Sequence, residues 1–296
     1  MNIVILGPGA IGSLWAAKFK AAGHSVSVWS RSPDQTLTLQ LDQQAADRFN
    51  NANISRVNQA DLVLVTVKAW QVEQALSPLS THINPDAIVV LMHNGMGTTN
   101  AVEQLLPANP LVLATTTHGA YKPTKQQVLH TGSGQTQLGG YNSKGKQCAF
   151  LQEVFSHALP PVNWNEHIQH ALWTKLAINC AINPLTALHQ VSNGKLVSPE
   201  YQQEISLLLD EVYNVLAAEQ VPLSRDKLSQ TVNHVIEATA ANHSSMQQDI
   251  FHHRQSEIDF ITGYLLERAV AHGISTPKNR ELYQAIKQIE QNWNLQ

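Results

Sequence analysis

Cysteine is nearly absent: the chain has two, Cys148 and Cys180. A disulfide framework is therefore not expected, and a reducing compartment is the default reading. Blocks of like charge are missing as well. The net charge is −3 and 14% of residues are charged. A nucleic acid or an anionic membrane would want a basic face, so neither is expected as a partner. A small anionic ligand, which needs only one or two local cations, stays open. No apolar run reaches the roughly 18 residues of a membrane span. The opening MNIVILGPGAIG lacks the basic n-region of a signal peptide. Repeats and low-complexity linkers are also lacking, and nothing marks an oligomeric state. What is there is 296 residues, 43% of them hydrophobic, enough for two domains. The chain reads as a soluble cytoplasmic protein.

The N-terminal half alternates short apolar runs with helical stretches. NIVIL (2–6), HSVSVWS (24–30), DLVLVTV (61–67), AIVVLM (87–92) and LVLATT (111–116) read as strands. The last three read as continuous apolar runs, which suit strands covered on both faces. AIGSLWAAKFKAAG (10–23) reads as a helix between the first two. Such alternation predicts an α/β fold: an N-terminal, Rossmann-type, doubly wound parallel sheet. QTLTLQL (35–41) has period two, and QQVLHTGSGQTQLGG (126–140) reads as two antiparallel edge strands around a Gly-Ser turn. After VNW (162–164) the spacing becomes helical throughout. The expected organisation is a Rossmann domain over 1–164 and an all-helical domain over 165–296, with a ligand cleft between them. Ser198-Pro199-Glu200 is a helix-start signal, and Ser256 with Asp259 resembles a capping box.

Gly7-Pro8-Gly9-Ala10-Ile11-Gly12 fits G-x-G-x-x-G between a strand and a helix, the context that gives this pattern meaning. Gly7 makes the tight turn, Gly9 gives a pyrophosphate access to the backbone, and Gly12 lets helix and sheet pack closely. An NAD site usually carries an acid at the end of the second strand. Here that end reads Trp29-Ser30-Arg31-Ser32. Arg31 can fork onto a 2′-phosphate, with the serine hydroxyls adding bonds, so NADP is expected over NAD. Lys68, in VKAW, and Asn94, in HNGMG, follow strands at their carboxyl ends, where ligands of open α/β sheets bind. Gly95 and Gly97 would let a ligand approach the backbone. The small residues of TTTHGA (115–120) suit a nicotinamide or ribose.

TKLAINCAINP (174–184) poses a different question. Its apolar residues ask for a buried helix, yet Lys175, Asn179 and Asn183 recur at i, i+4 and i+8, on one stripe. Asn is a poor interior helix former. Pro184 should kink the helix and free the Cys180 carbonyl. The fourteen histidines show no metal-ligand spacing, so no metal is expected. His93 and His118 are kept only as neighbours of the site.

Together GPGAIG, VKAW, HNGMGT, TTTHGA, LWTKLAINCAINPLTAL and SSMQQDI…SEIDFITG resemble the ketopantoate reductase family nearly end to end. The resemblance implies reduction of 2-dehydropantoate by NADPH to (R)-pantoate, on the route to pantothenate and coenzyme A. It implies that Gly7, Pro8, Gly9, Ala10, Ile11 and Gly12 hold the pyrophosphate, and that Arg31 and Lys68 contact NADPH. Asn94 would lie between cofactor and substrate, with Ala120 on the nicotinamide side. Lys175 would be the proton donor, with Asn179, Asn183, Asn193 and Ser245 binding substrate and Glu257 touching substrate or cofactor. Lys175 suits a general acid if burial and a neighbouring cation lower its pKa. Two other readings share the fold: a reductase of another 2-keto acid, and a non-catalytic NADPH sensor. The sensor would have no use for Lys175.

Overall fold

A computed structural model of the chain describes residues 1–293. The chain divides into two compact units, one of Met1–His93 with Thr98–Ile168, the other of Asn94–Gly97 with the residues from Gln169 onward.

The first unit opens with β1 (Asn2–Leu6), α1 (Ala10–Ala21), β2 (Ser25–Trp29), β3 (Thr36–Leu41), β4 (Asp47–Asn51), α2 (Ile54–Asn58), β5 (Leu62–Val65) and α3 (Val72–Leu76). It continues with β6 (Ile88–Leu91), α4 (Thr99–Leu105), β7 (Leu111–Thr116), β8 (Gly119–Tyr121), β9 (Gln127–Gly132), β10 (Thr136–Gly140), α5 (Leu151–Ala158) and β11 (Val162–Trp164). The strands join in the order β11-β10-β7-β6-β5-β1-β2-β4-β3-β9-β8. From β7 through β6, β5, β1 and β2 to β4 every pairing is parallel. That is the expected Rossmann-type core. β5, β6 and β7 are buried along their whole length, as their unbroken apolar runs require. Trp15, Phe19 and Phe155 form an aromatic cluster with centroids 4.9–5.1 Å apart and fix α1 against α5.

The sheet is mixed rather than wholly parallel, because β3 and β10 run antiparallel to β4 and β7. The expected hairpin over 126–140 does not form. β9 pairs with β3 and β8, and β10 pairs with β7 and β11. The Gly132-to-Gly134 link is a crossing between distant parts of the sheet. Strand propensity is local, whereas the choice of partner is made by the rest of the chain.

The second unit is helical: α6 (Ile168–His189), α7 (Pro199–Ala218), α8 (Arg225–Ala238), α9 (Ser245–Phe251), α10 (Thr262–Ala271) and α11 (Pro277–Asn292). Leu176, Ala177, Cys180, Ala181, Ile182 and Leu185 of α6 are buried in a core shared with α7, α8, α10 and α11. α6 runs on through Pro184 to His189. Pro184 deprives the Cys180 carbonyl of its N–H partner, but the flanking burial keeps the next turn helical. Ser198 and Ser224 precede α7 and α8 as N-caps, and only Ser224 caps with its side chain.

The capping box at Ser256 and Asp259 is not formed. A short 3₁₀ turn at Ile258–Phe260 stands where the helix was expected to begin. The Ser256 hydroxyl donates to Glu290 at 2.6 Å, and Asp259 accepts from Tyr283 and Lys287 at 2.7 and 2.8 Å. The Ser256 oxygen still accepts from the Ile258 N–H at 3.2 Å, two residues on, while Asp259 is held by partners on α11 and does not return to the Ser256 backbone.

Candidate active site and cofactor loop

In the first unit the glycine loop follows from steric limits. Gly7 has φ +90, and a Cβ there would lie 2.9 Å from the Val67 backbone nitrogen. A Cβ on Gly12 would meet the Gly7 carbonyl and the Thr66 hydroxyl. Gly9 is the contrast: it is exposed, and its nearest neighbour would be the Gly7 carbonyl at 4.0 Å. Two glycines thus close the turn against strands β1 and β5, and the middle one leaves a cradle that a side chain would fill. Gly9 is also the N-cap of α1 and supplies no side-chain cap. The first N–H groups of α1 therefore have no intrahelical acceptor and face an open position suited to a phosphate. The residues present fit a dinucleotide.

Arg31 lies just beyond β2, exposed, and its guanidinium makes no hydrogen bond or ion pair among the described residues. The loop carrying it is organised by Asn51, a residue that the sequence reading passed over. Buried Asn51 accepts from the Ser30 N–H and hydroxyl at 3.0 Å and donates to the Ser32 and Asp34 carbonyls. The Ser32 hydroxyl donates to the Asp34 carboxylate at 2.8 Å. Ser30 and Ser32 thus already spend their hydroxyls on the loop, and the contact with a 2′-phosphate is left to Arg31. Lys68 begins a 3₁₀ turn after β5, and its N–H donates to Gln71. Ala120, on β8, packs against the core of the sheet unit. His118 is buried beside His130, at 3.1 Å, and burial lowers its pKa. His93 bonds the Thr98 hydroxyl at 2.9 Å.

In the second unit the HNGMG turn joins the helices. The Met96 N–H donates to the Phe260 carbonyl at 2.8 Å. Gly95 and Gly97 have φ +82 and +100, and added Cβ atoms would lie 2.5 Å from the Phe260 oxygen and 3.0 Å from the Tyr264 ring. From sequence alone these glycines are expected to admit a ligand. The structure shows that they admit the protein's own 258–264 segment, which brings Asn94 beside Glu257. The Asn94 amide donates to the Glu257 carboxylate at 3.4 Å, and Glu257 is buried. Gly95→Ala is expected to destabilise the protein by about 2 kcal/mol or more, from the left-handed backbone alone plus the clash. A thermal melt unchanged from wild type would contradict this.

Lys175 is partly buried on α6, Asn179 is partly buried, and Asn183 is buried. Burial lowers the Lys175 pKa to about 8, and the Glu257 carboxylate acts against that fall. The neighbouring charge is thus an anion, where the sequence reading asked for a cation, and desolvation alone does the lowering. A charge on the far side of the sequence, 82 residues on by numbering, was not readable from the helix. Glu257→Gln removes a partner that holds the proton on Lys175. The alkaline limb of kcat/KM is therefore expected to move about one pH unit lower. An unmoved limb would show that Glu257 does not act on Lys175.

Asn193 is buried at the start of a 3₁₀ turn, and its N–H donates to the Asn242 carbonyl at 2.9 Å. Its amide nitrogen donates to the Thr239 hydroxyl at 2.9 Å, and that hydroxyl donates to the Val235 carbonyl at 2.6 Å. The Thr239 proton is thus spent, so Asn193 can only donate to Thr239. This leaves the Asn193 Oδ1 buried without a partner among the described residues. Ser245 is exposed in the first turn of α9, and the cap is Ser244, which accepts from Gln247 and pairs with Thr186 at 2.8 Å. α9 itself, Thr239 and Glu290 were not singled out from sequence. Among the described residues no group of three or more His, Cys, Asp or Glu is placed to hold a metal. No described helix is long and apolar enough to cross a membrane. Both cysteines are free and buried, and the Cys180 thiol is pushed up to about 12.

Comparison with known proteins adds an independent line. Residues 3–143 match the family model described as "Ketopantoate reductase PanE/ApbA", and residues 167–290 match its C-terminal counterpart. The chain is 55% identical to the 2-dehydropantoate 2-reductase of Vibrio cholerae, over 99% of both chains. It is 37% identical to that of Escherichia coli O157:H7, over 99% of this chain and 96% of the other. Among solved structures, a ketopantoate reductase of the same family from Ralstonia eutropha shares 28% identity with a TM-score of 0.87, over 99% of both chains. A D-mandelate dehydrogenase solved with NADH and anilino(oxo)acetate superposes with a TM-score of 0.91 at 23% identity, over 99% of this chain and 100% of the other. That likeness speaks to the fold.

Proposed function

Because this chain belongs to the ketopantoate reductase family, we propose that it reduces 2-dehydropantoate to (R)-pantoate with NADPH as the hydride source, on the route to pantothenate and coenzyme A. The observation that carries the chemistry is one lysine in the helical unit whose burial lowers its pKa to about 8, next to a buried carboxylate. Ketone reduction needs a hydride on carbon and a proton on oxygen. The cofactor, when bound, supplies the hydride.

The chain supplies the rest. Lys175, as an ammonium, donates a hydrogen bond to the ketone oxygen, stabilises the charge that develops there, and delivers the proton. Glu257 keeps Lys175 protonated near neutrality and holds the Asn94 amide. Asn179 and Asn183 offer neutral donors along the same stripe, so they can bind the substrate carboxylate or hydroxyl without competing with the lysine charge. The Asn193 Oδ1, left without a donor among the described residues, is an acceptor for a substrate hydroxyl. Ser245 is the exposed member of this set. Gly7 to Gly12 would hold the pyrophosphate, with Arg31 at the 2′-phosphate and Lys68 and Ala120 further along the cofactor. Free buried cysteines suit a reducing compartment, which supports a cytoplasmic location.

Steady-state rates on a panel of 2-keto acids test the substrate. The expected result is a clear preference for the substrate carrying the 4-hydroxyl. A preference for a 2-keto acid without it would assign the chain to another substrate on the same fold.

A further inference from the structure

The Pro8 carbonyl, in the middle of the glycine loop, is held from two sides. The Lys122 ammonium donates to it at 2.7 Å and to the Ser13 hydroxyl at 3.1 Å, and Ser13 itself donates to Pro8 at 2.9 Å. Ser13 is fully buried and Lys122 is partly buried. The other loop carbonyls are likewise turned toward protein donors. Gly7 accepts from the Gly9 N–H and the Thr66 hydroxyl, each at 2.7 Å, and Gly9 accepts from the Ser13 N–H at 2.9 Å. With all three oxygens occupied, the loop offers an approaching anion the N–H ends of α1 and no carbonyl.

Lys122 has a second property. Among the described residues its ammonium is met only by neutral oxygens, Pro8 and Ser13. Burial lowers its pKa, and no anionic neighbour among the described residues counters that fall. A partly buried cation without a counter-ion is costly, and an ammonium with three donors has one left over here. An anion in the phosphate cradle at Gly9, the residue after Pro8, would give this ammonium a charged partner.

We infer that Lys122 is a positioning residue for the dinucleotide: it locks the Pro8–Gly9 peptide and supplies the positive charge that the pyrophosphate lacks elsewhere in the loop. The inference rests on the proposed reading of the loop as a dinucleotide site. It separates two cations by task, Lys122 for the pyrophosphate and Arg31 for the 2′-phosphate.

Calorimetric titration of wild type, Lys122→Met, Lys122→Arg and Arg31→Ala with NADPH, ADP-ribose and 2′-AMP tests it. ADP-ribose carries the pyrophosphate without the 2′-phosphate, and 2′-AMP the reverse. Lys122→Met is expected to weaken NADPH and ADP-ribose about tenfold, as for a unit charge near an anion in a partly buried site, and to leave 2′-AMP unchanged. Lys122→Arg should keep most of the affinity, and kcat at saturating NADPH should stay within twofold in both variants. Arg31→Ala should weaken NADPH and 2′-AMP and leave ADP-ribose unchanged. Unchanged ADP-ribose binding in Lys122→Met would overturn the inference. So would equal weakening of ADP-ribose and 2′-AMP, which would mark a general loss of structure. If Lys122→Met does not fold, Lys122→Arg and Lys122→Gln decide: binding of ADP-ribose no better in Arg than in Gln would remove the charge argument. Failure of the wild type to bind either NADPH or ADP-ribose would instead defeat the dinucleotide reading itself.

Discussion

Lys175→Ala is expected to lower kcat about 10³-fold, within the range for loss of a general acid, while leaving the affinity for NADPH within a few-fold. The loss should come with a gain in stability. Burial holds the Lys175 pKa at about 8 in the folded protein, below its ordinary 10.5. Folding therefore expels a proton from this lysine between those values. The penalty for burying the charge is full below about pH 8 and fades as the pH rises toward 10.5. At pH 7 it amounts to as much as about 3 kcal/mol. Lys175→Met, which keeps the stem and drops the charge, should melt higher than wild type at pH 7 and lose that advantage in alkali. A catalytic group that destabilises its own fold is the signature of a site kept for chemistry. A variant that lost activity and melted lower would point to a structural lysine instead. Activity within a few-fold of wild type would make the assigned proton donor wrong.

The second large effect concerns cofactor choice. Arg31→Ala should raise the Kd for NADPH about 30-fold, the range for losing charge-assisted hydrogen bonds to a phosphate, and that for NADH no more than about threefold. The surroundings sharpen this expectation. Ser30 and Ser32 spend their hydroxyls on Asn51 and Asp34, so no other side chain of the loop is poised to take over. The Asp34 carboxylate keeps its negative charge while it accepts from Ser32, so it can only repel a phosphate. Titration with both cofactors checks the difference, and equal losses would remove the argument for the 2′-phosphate.

Much of this was legible in the chain itself. LVLATT forms a strand over the same residues, Leu111–Thr116, because its apolar start, Leu111 to Ala114, has no solvent-facing alternative and β-branched threonines extend it. The glycine loop was legible because its demands are local: a turn, an opening and a close contact within six residues. The stripe of α6 was legible from periodicity, and its apolar face is in the helical core as expected.

What escaped the reading depends on residues far apart. The antiparallel pair over 126–140 was locally plausible, yet β9 and β10 found other partners. Lys122 and Pro8 are 114 positions apart, and Ser256 and Glu290 are 34 apart. Glu257 acts on Lys175 as an anion, and no pattern within α6 reports it. Gly95 and Gly97 show a subtler limit. Their need for space was correctly read from sequence, but the claimant proved to be Phe260 and Tyr264.

The most direct measurement is oxidation of NADPH by the purified protein with 2-dehydropantoate, run across pH with the product identified. The account predicts turnover to (R)-pantoate, with kcat/KM falling as the pH rises through about 8, where Lys175 gives up its proton. No turnover, or a rate that rises through that range, would contradict it.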